Sequence, residues 1–240
     1  VNVEFDKLLV QRIRSHRARV LARNVFSVAG QPVAWSAGGN RLAVGYNANE
    51  RGGALVFDLR RGTRRNVRFS DGDYDGSSFS PDGSSLAVVN VLSRSSTLQA
   101  IRVRGGHLRT FGSGSSVAWG SGGIASVDEQ NVFVQADLNS ERHLLSHREY
   151  PLLQLLNWSR DGRRLLVSEQ TYNGSKARAL LLNPATGEAD ELGTLFSTVT
   201  ALSRDGEHVL VTKAGDVVSV DRAGALDVLA RHARAPSWSK

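Results

Sequence analysis

Asp71, Asp73 and Asp75 alternate ahead of Gly76, and this run is the one local pattern in the 240-residue chain with metal chemistry. Carboxylates at every second position before a glycine match the opening of a calcium-binding loop, where hard oxygens converge on one ion. The twelfth position of such a loop would be Asp82. Residues 77–80 read as a strand, however, and seven extended steps carry Asp82 roughly 23 Å from Asp75 at ~3.3 Å per residue. The expectation is therefore a solvated acidic loop and no cofactor, with a partial Ca2+ site on Asp71, Asp73 and Asp75 as the alternative.

The second chemistry is basic. Arg12, Arg14, Arg17 and Arg19 form one cluster, Arg60, Arg61, Arg64, Arg65 and Arg68 a second, and Arg102, Arg104 and Arg109 a third. A guanidinium fork holds two oxygens of a carboxylate or phosphate at once. Residues 1–120 carry 17 basic and 8 acidic side chains, whereas residues 121–240 carry 13 and 15, so the net charge of +7 is concentrated in the first half. Arg outnumbers Lys 26 to 4, which coding bias alone can produce. The clustering, and not the total, carries the argument.

Other chemistry is sparse. His143 and His147 stand four apart, but in a stretch that reads as a strand and not as the helix of a zinc protease. Asp75, Glu149, Gln154 and His232 are the groups that could converge in a channel, and they match no known catalytic set. No serine-nucleophile motif, P-loop or dinucleotide fingerprint is present. The chain has no cysteine, which excludes disulfides, thiolate zinc sites and a cysteine nucleophile. It has no run of ~18 apolar residues to span a membrane. It shows no signal-peptide pattern, opens on Val1-Asn2 and contains no methionine, so it reads as a processed product or an excerpt.

The elements that must position these groups are written as a repeat. One phrase recurs over Ala34–Val44, Ser78–Val88, Ala118–Val127, Asn157–Val167 and Leu202–Val211, and is cut off at Ser237–Lys240. Its marker residues are Trp35, Phe79, Trp119, Trp158, Leu202 and Trp238, a spacing near 40 residues. That period suits a β-propeller blade of four short strands. In each unit strand a ends at an Asp-Gly or Gly-Gly turn, where positive φ is tolerated, and strands b, c and d follow. The recurring aromatics read as packing between blades, and Asp82, Asp161 and Asp205 as turn formers. Laid on the first blade, residues 8–21 match strands c and d, with Val1–Phe5 as strand b and residues 235–240 as strand a. The expectation is an all-β, six-bladed propeller of four-stranded antiparallel blades. It forms a single domain over 1–240, with one blade split between 1–24 and 235–240 and the ring closed by pairing of the terminal strands. The arginine clusters then fall on the c–d hairpins of three successive blades. The equivalent hairpin at 183–191 is acidic.

Ser80-Pro81-Asp82-Gly83, Ser159-Arg160-Asp161-Gly162 and Ser203-Arg204-Asp205-Gly206, with the ending Ala235-Pro236-Ser237-Trp238-Ser239, resemble the repeat of TolB-type, WD-like propellers. The likeness covers essentially the whole chain. Gly38-Gly39 and Gly122-Gly123 depart from it by replacing Asp-Gly. It implies a six-bladed, extracytoplasmic, protein-binding scaffold, in the periplasm or at the cell surface, and the chain is expected to be a monomer. The arginine arc is expected to bind an acidic protein or an anionic envelope polymer through Arg12, Arg14, Arg17, Arg60, Arg61, Arg64, Arg65, Arg102 and Arg104. Nucleic acid is not expected, because the arc lacks exposed aromatics for stacking. The alternatives are a propeller enzyme of the lactonase or lyase type, with a metal or small ligand at the channel mouth, and the propeller domain of a larger enzyme.

Overall fold

The computed structural model describes residues 4–11, 18–26, 33–48, 51–68, 72–92, 95–148, 152–170, 177–192, 196–203 and 205–231. Every regular element among them is a strand. The chain divides into two units, residues 1–113 and 114–238.

The first unit opens with a two-stranded antiparallel sheet, β1 (Glu4–Gln11) and β2 (Ala18–Phe26). Two four-stranded meanders follow. One runs β3 (Val33–Trp35), β4 (Arg41–Ala48), β5 (Arg51–Asp58) and β6 (Thr63–Arg68). The other runs β7 (Asp73–Phe79), β8 (Ser85–Leu92), β9 (Ser95–Arg102) and β10 (Arg109–Ser113). The second unit holds three more meanders. They are β11 (Ser116–Gly120) to β14 (His143–His147), β15 (Leu152–Trp158) to β18 (Ala189–Glu191), and β19 (Thr198–Leu202) to β22 (Leu226–Ala230).

Among the described residues five four-stranded sheets thus stand where six were expected, and the sixth has two strands. The residues give the reason. Glu4-Phe5-Asp6-Lys7-Leu8 contains no Gly, Pro or Asn to turn the chain. What was read as separate strands b and c therefore runs on as one eight-residue strand. The c–d hairpin expected over residues 8–21 is present as β1 and β2. Residues 1–3 and 232–240, which carry the expected closure and Trp238, lie outside the described residues.

Burial follows strand position. The inner strands β8, Gly123–Asp128 (β12), Leu165–Gln170 (β16) and His208–Lys213 (β20) are buried along nearly their whole length. The outermost strand β22 is exposed at every residue. In the first unit one core joins β4 to β9, and a smaller one packs Leu21 of the N-terminal hairpin on Leu42, Val44 and Phe57. In the second unit two cores are built around Trp158 with Leu165, and Phe196 with Leu181. The marker aromatics divide accordingly. Phe79 and Trp158 are buried, and Trp119 is half-buried. Trp35 is 45% exposed.

The Ser-x-Asp-Gly phrases fold into one recurring hydrogen-bonded turn. The Ser80 hydroxyl donates to Asp82 (2.6 Å) and accepts from the Ser85 N–H (2.9 Å), while Asp82 accepts from the Ser84 N–H (2.9 Å). Ser159 with Asp161, and Ser203 with Asp205, repeat the arrangement. The Ser80 hydroxyl and the Ser84 N–H hold the Asp82 carboxyl down at about 2; the Arg163 N–H and Ser159 hydroxyl lower Asp161, and the Ser203 hydroxyl and Glu207 N–H lower Asp205. A depressed folded-state pKa means stability that is present above the unfolded carboxyl pKa of about 3.9 and is lost as pH falls through the folded one. The urea midpoint is therefore expected to drop as pH falls from 4 towards about 2. Asp82→Asn is expected to cost about 1 kcal/mol at neutral pH and to flatten part of that acid slope. An unchanged slope in the variant would show that the turn does not sense acid.

Candidate functional site

The hairpins of the first unit bring the second and third arginine clusters to one edge. Asp58 ends β5 and accepts from the Arg61 N–H (2.9 Å), fixing the turn into β6. Gly62 takes φ 70° there, a value that suits a residue without a side chain. Across the seam, Val103 N–H bonds Ser84 carbonyl (2.8 Å) and holds the β9–β10 turn. Between the two turns lies a cleft of ≈ 340 Å³, lined among others by Arg41, Asp58, Arg61, Arg64, Arg65 and Arg104.

The five arginines are not equivalent. Arg65 donates to the Val103 carbonyl (2.8 Å) and the Arg102 carbonyl (3.2 Å), so it bridges the two sheets. Arg41 donates to the Gly83 carbonyl of the neighbouring sheet and lies 4.0 Å from Asp58, with only 14% of its side chain exposed. Arg61, Arg64 and Arg104 are exposed and form no ion pair among the described residues. Carbonyl partners leave a guanidinium's net charge in place, so five positive groups face one carboxylate. The second unit is the opposite case. There Arg222 pairs with Asp190 (3.1 Å) and Glu207 (3.9 Å), Arg164 with Asp190 (3.9 Å) and Arg178 with Glu191 (3.3 Å). Of the ion pairs among the described residues, only that of Arg41 and Asp58 is in the first unit.

Of the expected binding residues, the structure brings Arg61, Arg64, Arg65 and Arg104 to the cleft and leaves Arg60 and Arg102 exposed on the rim. Arg12, Arg14 and Arg17 lie outside the described residues. Arg65, expected as a binding residue, is a seam residue. Arg41 was missed, because it starts strand b and not a c–d hairpin. Its signal was its place directly after the a–b turn, cross-strand from Asp58.

The acidic run is not a loop. Asp73 and Asp75 stand on β7, and Asp71 lies outside the described residues. Tyr74 between them is 1% exposed. Its ring fills the space that Gly45 leaves, where a Cβ would come within 2.0 Å of it. Its hydroxyl bonds Ser77 Oγ (2.6 Å), and burial lifts the phenol to about 12. Asp75 sits in a bulge of β7, and desolvation raises its carboxyl above the ordinary range. Asp73 and Asp75 offer two carboxylates, where calcium takes six to eight oxygens. Among the described residues no group of three His, Asp or Glu side chains gathers to hold a metal. His143 and His147 are the first and last residues of β14, with His147 Nδ1 2.8 Å from Asn131 Oδ1. Gln154 is exposed on β15, and Glu149 and His232 lie outside the described residues.

The fold is that of a β-propeller, here with five four-stranded antiparallel blades. TolB from Acinetobacter baumannii is similar at a TM-score of 0.68 and 17% identity, over 92% of this chain and 58% of that one, so this chain spans little more than half its length. A nidogen/laminin complex matches at 0.66 and 15% identity, over 96% and 92% of the two chains. An oligogalacturonate lyase in complex with manganese matches at 0.63 and 12%, over 90% and 68%. No family model matches the chain, and no curated protein does. Among the described residues no helix is long and apolar enough to cross a membrane.

Proposed function

We propose that this chain is a non-enzymatic interaction module of the TolB-like propeller type, acting outside the cytoplasm and binding an acidic or anionic partner through its first unit. The observation that carries the reading is that, among the described residues, Arg61, Arg64, Arg65 and Arg104 have no carboxylate partner, beside a second unit whose arginines are largely paired. A rigid frame of sheets presenting charged hairpins is a natural recognition surface. The scaffold is completed, in this reading, by residues 235–240 pairing beside β1. The resemblance to TolB-type propellers supports the envelope location.

The test is retention on immobilised polyglutamate at low and moderate salt, beside a variant reversed at Arg60, Arg61 and Arg64. Arg65 is spared because it holds the seam. The native chain is expected to be retained in a salt-sensitive way, and the variant to lose at least tenfold in affinity. Equal retention of both would sink the reading. A second reading, a propeller lyase, is supported by the likeness to oligogalacturonate lyase alone. Unsaturated product from oligogalacturonate and manganese would replace the first reading with the second.

A further inference from the structure

We infer that the cleft of the first unit seats an acidic side chain of a partner peptide, and that the peptide lies as an added strand along the outer edge of β6. The inference rests on the reading of the chain as an anion-binding module and names the site and the ligand chemistry.

The cleft has a built floor. Arg41 is mostly buried and is oriented from two sides, by the Gly83 carbonyl and by Asp58. Arg65 is oriented by two backbone carbonyls. Both therefore hold their positive charge in a fixed place before any ligand arrives, which lowers the ordering cost of binding. Arg61, Arg64 and Arg104 surround the mouth and are free to close on an anion. At ≈ 340 Å³ the space lies at the small end of ligand sites, which begin at about 300 Å³. It suits one or two side-chain carboxylates better than a run of sugar rings.

The strand beside the cleft points to a peptide. β6 is the outermost strand of its sheet, paired on one side to β5 only. Among the described residues its outward backbone groups have no backbone partner. An edge strand offers N–H and C=O groups to another chain, and a peptide can pair with them where a polysaccharide cannot. Along β6, Arg64, Asn66 and Arg68 are exposed and alternate with the inward Arg65 and Val67. These arginines deter pairing with an ordinary strand and favour an acidic one. A bound strand with carboxylates at every second position would answer Arg64 and Arg68 on the outer face, or present a side chain to the cleft mouth on the other.

The probe is a blocked, fluorescent octapeptide alternating Glu and Thr, titrated into the whole chain and followed by anisotropy. Losing Arg61 and Arg104 together to alanine is expected to weaken binding at least tenfold. Both are exposed, so folding is not at stake. Losing Arg60 and Arg102 removes the same charge from the rim outside the cleft, and is expected to cost less than threefold. A peptide N-methylated at alternate amides is expected to bind at least tenfold more weakly. Equal losses in the two double variants would overturn the cleft while leaving the anion-binding reading standing. Undiminished binding of the methylated peptide would overturn strand addition. Tighter binding of oligogalacturonate than of the peptide would overturn the peptide as ligand. No binding of any polyanion by the native chain would overturn both this inference and the reading beneath it.

Discussion

Trp158→Ala lowers the stability of the chain by about 3–5 kcal/mol, the usual cost of emptying a buried aromatic site. At this chain length Tm is expected to fall by roughly 10 °C. The size of the effect follows from how the ring is enclosed. Trp158 is 8% exposed, and its Nε1–H donates to the Ala118 carbonyl of the neighbouring sheet (3.1 Å). Gly120 and Gly122 lie flat against it. A Cβ on Gly120 would come within 2.4 Å of the indole, and one on Gly122 within 2.3 Å. These glycines are backbone, so the space left by the indole cannot collapse by rotation of a side chain. Trp158→Phe keeps most of the contact and loses the Nε1 bond, for about 1–2 kcal/mol. Circular dichroism melts of both variants check this. A loss under 1 kcal/mol for alanine would mean that the ring does not hold the two sheets together.

The second large effect is expected at Arg148. Its Nε lies 2.9 Å from Glu169 Oε1, and the Glu169 side chain is fully buried on β16. The second carboxylate oxygen, Oε2, has no hydrogen-bond partner among the described residues. Arg148 is thus the counter-charge that lets a carboxylate stay in the interior. Arg148→Ala leaves that charge unanswered and is expected to cost about 3 kcal/mol, towards the low end for broken buried pairs because a quarter of Arg148 is exposed. Glu169→Gln removes the charge with little change of shape and is expected to cost clearly less. In Arg148→Ala made on the Glu169→Gln background, most of the arginine's effect should vanish. Urea midpoints of the four proteins close the cycle, and additive losses would show that the two side chains are not coupled.

Much of the fold was legible because its signals are local. The Ser-x-Asp-Gly phrases predict the a–b turns, and each phrase closes the same set of hydrogen bonds within six residues. Alternating and continuous apolar runs place the strands between them. What was not legible depends on neighbours distant in sequence. Gly122-Gly123 reads as a worn copy of Asp-Gly, yet Gly122 is where the next sheet's Trp158 rests. Trp35 and Trp158 occupy the same place in the repeat, yet one is 45% exposed and the other 8%. The split blade was overcounted because a repeat supplies a period and not the number of strands that a terminal segment forms. In the site, the arginine clusters were visible as a stripe. The division of labour within them was not, since Arg65 meets carbonyls 37 and 38 residues away.

That division bears on how the chain can change over generations. Arg41 and Arg65 hold sheets together, so their loss is exposed to selection for folding as well as for binding. In the proposed reading, Arg61, Arg64 and Arg104 answer to the ligand alone. Substitutions at these three can accumulate, retune charge and shift preference from one partner to another while the seam beneath them stays intact. Related chains are therefore expected to keep the pair and vary the trio, so that new specificities arise on a frame that does not have to be rebuilt.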